Sequence, residues 1–234
     1  MTIPGSVPPY RIERTGNRHS RAMIRDDVIL IRLAGRLSER EEREHIESLL
    51  RRMSSAWQRQ KLLTTVDPMR PLLDGADHLT LHPILGPSIE LSLVRGNRTK
   101  AKKMPGGWMI TVGPGVRRKQ LHRLLWNCVS ASLKQSVEYF IDDVNDARMQ
   151  VGWKDLRLGY ASSQWGSCGA DGRIMLNAVL LFTTVDFLRY VIVHELAHRT
   201  VRNHSKAFWT EVARGCPDHK EIRAAMKRHR ICRL

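Results

Sequence analysis

Residues 185–200, VDFLRYVIVHELAHRT, constrain this chain more than any other stretch. A run this long and this rich in Val, Leu, Ile and Phe suits a core helix better than a strand, since buried strands rarely exceed about eight residues. Thr183, with Asp186 three positions on, has the spacing of a capping start for it. The fold must therefore wrap around a helix that carries His194, Glu195 and His198 on its last turns.

Polar residues on such a helix need a reason. His194 and His198 stand one turn apart and project from the same face, so both imidazoles can reach a single cation. Glu195 points about 100° away, which makes it a poor third ligand but lets it touch a water held by that cation. A hydrolytic metal site needs a third protein ligand and one open position. His204 is the candidate, because Asn203 can take the left-handed conformation that ends a helix and turns the chain back. Zinc suits three imidazoles and a water, while manganese or nickel could substitute in vitro. One Zn2+ with Glu195 as general base is the expected arrangement; the competing reading is a core helix with surface histidines.

Elsewhere the pattern is that of a mixed chain. Residues 1–22 combine Pro, Gly, Arg and Ser without periodicity and read as a flexible basic tail. DDVILIRL is a strand candidate. Ser38 and Glu41 have capping-box spacing ahead of a helix whose Ile46, Leu49, Leu50, Met53 and Trp57 recur at helical intervals. LLDGADHLTL, SIELSLVRG and a hairpin turned at Pro105, Gly106 and Gly107 predict a small antiparallel sheet. A second long helix is expected over about 117–148, ending near Gly152, and LRLGYASSQWGSCGADGRIMLN reads as two strands joined at Gly169 to Gly172. These signals divide the chain into the tail (1–22), an antiparallel β-rich and helical N-terminal region (23–115) and a C-terminal domain (116–234), an α+β class.

Lysine and arginine total 39 against 23 acids, a formal charge of +16, so the surface attracts anions, nucleic acid among them. The basic residues are spread along the chain, which fits a role in solubility equally well. Cys128, Cys168, Cys216 and Cys232 form no CxxC pair and no disulfide framework, as in a reducing compartment. No apolar run approaches the roughly 18 residues of a membrane span, and no secretory leader is visible, so a cytoplasmic location without membrane contact is expected.

QWGSCGADGRIMLNAVL, then VDFLRYVIVHELAHRTVRNHSKAFW, then GCPDHK, resembles the YgjP-like zinc metallopeptidases, relatives of the SprT-like and WLM metalloproteases. The order and spacing match from Trp165 to Asp218, whereas the first half is similar only in outline. The resemblance implies a zincin-like C-terminal metallopeptidase domain, His194, His198 and His204 as zinc ligands and Glu195 as general base. It also implies that strands around Trp165 to Asn177 hold the substrate backbone beside the metal helix. Gln164 stands where relatives often carry Arg, and His219 where Tyr is common, two departures from the family pattern.

Several neighbours have two readings. Gly166 and Ser167 could admit a close backbone, or Trp165, Cys168, Leu176 and Asn177 could simply pack the hairpin. Cys168 could ligate the metal or act as an inhibitory thiolate, though three histidines already fill the protein positions. Phe208 and Trp209 fit a short helix opened by Ser205 that braces His204. Glu211 could accept a hydrogen bond from a ligand imidazole or sit in solvent. Arg199 and Arg202 could bind an oxyanion or be ordinary helix-surface arginines.

Three functions stay open: a zinc peptidase acting on polypeptide, a nucleotide pyrophosphohydrolase using the same metal, and a nucleic-acid-associated protein whose metal acts locally. The lack of paired acidic ligands typical of two-metal phosphatases favours the peptidase.

Overall fold

The computed structural model describes residues 8–25, 28–61 and 64–232, which form two compact units, 1–64 and 65–234. The first unit is a three-stranded sheet covered by a helix. Its strands are β1 (Tyr10–Arg14), β2 (Arg21–Arg25) and β3 (Val28–Leu33), in the order β1-β3-β2, with β1 parallel and β2 antiparallel to β3. Helix α1 (Glu39–Lys61) opens on the Ser38 and Glu41 capping box, Ser38 N–H donating to Glu41 at 2.8 Å. It lays Ile46, Leu49, Leu50, Met53 and Trp57 on Ile29, Ile31 and Leu33 of β3.

Part of the segment read as a flexible tail is thus a strand. Residues 10–14 pair along their whole length with β3, and Arg14 binds Glu42 at 2.8 Å. YRIER escapes a pattern reading because it is an edge strand with little burial on either face, so no alternation marks it. Residues 1–7 of that segment, and Asp26 and Asp27 of the strand candidate, lie outside the described residues.

Strand β4 (Thr64–Val66) lies at the boundary, and the second unit continues with α2 (Arg70–Leu73), β5 (His78–Leu81), β6 (Ile89–Arg95), β7 (Lys100–Met104), β8 (Gly107–Val112), α3 (Arg118–Val144), β9 (Asp155–Gly159), β10 (Gly166–Cys168), β11 (Arg173–Asn177), α4 (Val185–Ala197), α5 (Lys206–Gly215), α6 (His219–Met226) and β12 (His229–Ile231). A 3-10 segment, 178–182, leads into α4. The division into compact units falls after residue 64. Leu81, Ile89, Leu91 and Ile110 of the hairpins share one core with Leu125, Val129 and Leu133 of α3 and with α4, so they belong to the C-terminal unit.

The hairpin at Pro105 to Gly107 is present, but the sheet containing it is mixed. Its order is β5-β6-β8-β7, with both hairpins antiparallel and β6 parallel to β8. Gly107 makes that junction feasible: a Cβ there would lie 1.9 Å from the backbone oxygen of Glu90 on β6. A second sheet has the order β10-β11-β9, with β10 antiparallel and β9 parallel to β11. The stretch read as two strands thus supplies three.

Helix α3 runs into a π turn, 145–149, and the chain reverses at Gln150, whose φ is +53°, rather than at Gly152. Asn145 brackets that reversal, its side chain bonding both the N–H and the C=O of Val151 at 3.0 Å. Helix α4 is the hub: it packs on α3, α5, α6 and both β10 and β11. Its cap is Thr184, one residue later than expected, whose hydroxyl accepts from Phe187 N–H at 3.2 Å. Leu188, Ile192, Val193, Leu196 and Ala197 are fully enclosed, which burial alone is worth several kcal/mol at about 25 cal/mol per Å2. Among the described residues no helix is long and apolar enough to cross a membrane.

Candidate metal centre

The apolar packing of α4 brings its polar end to a fixed place. His194 lies on the last turn, His198 is the C-cap residue, and the chain then leaves through a turn and returns so that His204 precedes Ser205, the N-cap of α5. One ring nitrogen from each of the three imidazoles lies within 4.8 Å of the others. The Nε2 atoms of His194 and His204 are 3.1 Å apart, close to the roughly 3.4 Å edge of a tetrahedron with metal–nitrogen bonds of 2.0–2.1 Å.

The expected route to this geometry differs in one respect. Asn203 is not left-handed: among the described residues only Arg36 and Gln150 are non-glycine residues with positive φ. The turn is made instead by i-to-i+3 and i-to-i+4 backbone bonds, Arg199 N to Leu196 O, Thr200 N to Ala197 O and Val201 N to Ala197 O. Asn203 contributes its side chain, accepting from Ser205 N–H at 3.3 Å. The Val201 carbonyl then lies 3.2 Å from His198 Nδ1. A proton on that nitrogen leaves the Nε2 lone pair free, the usual way a second hydrogen bond sets a ligand tautomer.

Phe208, fully buried on α5, forms the floor: its ring centroid is 4.5 Å from His198, 4.7 Å from His204 and 4.9 Å from His194. Trp209 backs His204 at 6.0 Å and is itself stacked on His219 and Arg223. Burial holds the His194 ring down to about 4, and burial lowers His198 as well. Both are therefore neutral near pH 7, the form that ligates. The Nδ1 of His194 is buried without a hydrogen-bond partner. Imidazoles converging with no acid among them fit a borderline-soft divalent ion such as zinc.

Glu195 is 5% exposed and packs against Gly166 of β10. A Cβ on Gly166 would sit 2.7 Å from Glu195 Oε1 and 2.9 Å from Val191. Gly166 thus gives close approach to the carboxyl, a role that its place in a Gly-Ser pair suggested only as room for a substrate backbone. Burial pushes the Glu195 carboxyl up to about 8.

The other candidates sort by geometry. Arg199 Nε donates to Gly152 O at 2.7 Å and its Nη1 to Ala170 O at 3.0 Å; Arg202 Nη2 also reaches Ala170 O, at 2.9 Å. These arginines tie the β10–β11 turn to the metal helix instead of offering an oxyanion site. Glu211 pairs with Arg214 at 2.6 Å. His219 is buried against Trp209 with Nδ1 3.1 Å from Cys216 O, and Gln164 gives its backbone oxygen to Asn177. Cys168 lies outside the cluster of three imidazoles, its thiol raised by burial and then by the nearby Glu195 charge. Asn177, fully buried, donates to Ala161 O at 2.6 Å and Gln164 O at 2.9 Å and accepts from Val179 N–H, so it braces the hairpin as a packing residue.

A family model for the YgjP-like metallopeptidase domain matches residues 17–229, a span that contains all three imidazoles and Glu195. The chain belongs to the YgjP-like metallopeptidase family. The match spans both compact units, so the family unit includes β2, β3 and α1 of the first as well as the metal helix. Among solved structures, the metallopeptidase zymogen abylysin of Pyrococcus abyssi is 24% identical over 41% of this chain and 99% of its own, with a TM-score of 0.36. The jannalysin zymogen of Methanocaldococcus jannaschii is 17% identical over 39% of this chain and 95% of its own, with a TM-score of 0.32. No curated protein matches the chain.

Proposed function

We propose that this YgjP-like metallopeptidase is a zinc peptidase that cleaves polypeptide with a single ion held by His194, His198 and His204. The observation that carries the reading is the convergence of three imidazoles near one buried carboxyl, Glu195, on the flank of a sheet edge. A zinc ion there supplies Lewis acidity, lowering the pKa of water and polarising a carbonyl. Its positive charge also favours the anionic form of Glu195, which burial otherwise disfavours.

Glu195 then takes a proton from the attacking water on a carboxylate oxygen and delivers it to the amine nitrogen as the peptide bond breaks. Among the described residues strand β10 is at the edge of its sheet and pairs only with β11, so its outer edge can accept an extended backbone by strand addition. Arg199 and Arg202 fix the far end of that edge through Ala170. An extended polypeptide needs such an edge, and a phosphoanhydride does not. No second cluster of His, Cys, Asp or Glu suited to a metal occurs among the described residues, which also disfavours two-metal phosphoryl chemistry.

The test compares zinc-loaded wild type with Glu195→Gln on a panel of unfolded proteins and nucleoside triphosphates. Wild type is expected to cut the unfolded proteins, the Gln variant to keep its zinc and cut nothing, and the triphosphates to survive both. Hydrolysis of triphosphates by wild type alone would replace the peptidase reading with the pyrophosphohydrolase one. Inertness toward both, with salt-dependent retention on DNA, would move the function to the basic surface.

A further inference from the structure

The second unit holds another concave site, at the opposite end of β10 from the turn that Arg199 and Arg202 secure. A cavity of about 590 Å3 is lined by Lys119, His122 and Arg123 from the start of α3 and by the Tyr160–Gln164 segment. Its charge is unusual for a helix start. The first turn of α3 carries no acid, although its N-terminus is the positive end of the helix dipole. Lys119 and Arg123, four residues apart, share one face. Their neighbour Arg118 is neutralised by Asp74 at 2.7 Å, but neither Lys119 nor Arg123 has an acid partner among the described residues.

Cations gathered without counter-charge at a dipole's positive end cost stability, so a ligand anion is what this arrangement suits. His122, 2% exposed, lies against the cavity and accepts the Trp126 indole N–H on Nε2 at 2.9 Å, which leaves Nδ1 to carry its proton as a donor. The Asp67 carboxylate lies 3.6 Å from His122 Nε2 and is not part of the lining. Ser163 and Gln164 add polar groups on the other wall.

The position of the cavity says which anion. Asn177 pins Ala161 and Gln164 to the base of β10, and Gly166 presses on Glu195. Ser163 precedes Gly166 by three residues, at most about 10 Å of extended chain. A polypeptide lying along β10 with its scissile bond at Glu195 therefore places a side chain two to four residues from that bond over Lys119 and Arg123. On the peptidase reading above, on which this rests, we propose that the cavity is a specificity subsite for an acidic side chain of the substrate.

Two measurements test it. Zinc-loaded Glu195→Gln should bind fluorescent Glu-rich peptides about tenfold more tightly than their Gln counterparts by anisotropy, and adding Lys119→Glu with Arg123→Glu should remove or reverse that preference. Cleavage-site mapping on a proteome-derived peptide library should show Asp and Glu enriched two to four residues to one side of the cut in wild type, and Lys and Arg there in the charge-reversed protein. Equal binding of both peptides, or a cleavage profile indifferent to the reversal, would overturn the subsite. Selectivity in binding without any peptide cleavage would leave the subsite standing and sink the peptidase reading. Capture of nucleoside triphosphate through Lys119 and Arg123 with no acidic-peptide preference would refute the subsite.

Discussion

Removing the charge at residue 195 should stabilise the metal-free protein, increasingly so as pH rises. Glu195 is 5% exposed, and its carboxyl is raised from the ordinary 4.5 to about 8 by burial. A carboxyl whose pKa is higher in the folded than in the unfolded chain contributes stability that is complete below about 4.5 and lost as pH climbs through about 8. The full swing is worth about 5 kcal/mol. The amide that Glu195→Gln introduces is neutral throughout, so the stability of the variant minus that of wild type should grow by up to this amount between pH 5 and 9. For a chain of this length that is a gap of roughly 10–20 °C in melting temperature at the alkaline end. His194, held down to about 4, acts in the opposite sense: its contribution is present above 6.5 and lost as pH falls toward 4. That term is common to both proteins and cancels in the difference. Scanning calorimetry of chelator-treated wild type and variant across this pH range measures it directly. A difference flat with pH, or wild type the more stable at pH 9, would refute the burial argument. Zinc should close the gap, because a divalent cation nearby restores the anionic carboxylate.

Gly166→Ala should keep its zinc but lower kcat by about 100-fold, because its Cβ would lie 2.7 Å from Glu195 Oε1 and move the carboxyl; steady-state kinetics with wild-type kcat would exclude this positioning role. His204→Ala should weaken zinc binding at least about 100-fold in competition with a chromophoric chelator, and unchanged affinity would remove it from the ligand set. Arg199→Ala should lower unfolding free energy by about 1–2 kcal/mol through loss of its bonds to Gly152 and Ala170, with zinc affinity intact. A kcat loss at unchanged stability would instead return Arg199 to oxyanion binding.

What could be read from the residues, and what could not, follows the range of the forces involved. The helix carrying His194 and His198, the return of His204 and the bracing pair Phe208 and Trp209 are local: a period, a cap and a short loop decide them, and the structure brings those three imidazoles together. The α1 capping box and the hairpin at Pro105 to Gly107 are equally short-ranged. The elements misread depend on partners distant in sequence. Strand β1 owes its existence to β3, since its own side chains are mostly solvated. Strand β8 runs parallel to β6 because a hairpin inserts its second arm there, a choice that alternation within either strand does not register. Asn203 illustrates the reverse error, in which a residue able to take a left-handed conformation is not asked to, because backbone bonds after Ala197 already close the turn.

The chemistry of Glu195 depends on the same long-range packing. Its place next to His194 suggests a general base, but its burial is set by contact with Gly166 on β10, and β10 in turn is held by Asn177 at one end and by Arg199 and Arg202 at the other. Edge strand and carboxyl are therefore one mechanical unit. A residue that shifts β10 moves both the surface available to a substrate backbone and the group that takes the proton, so kcat and KM should change together for substitutions at Asn177 or Ala170, whereas those at Lys119 and Arg123 should alter only which peptides are chosen.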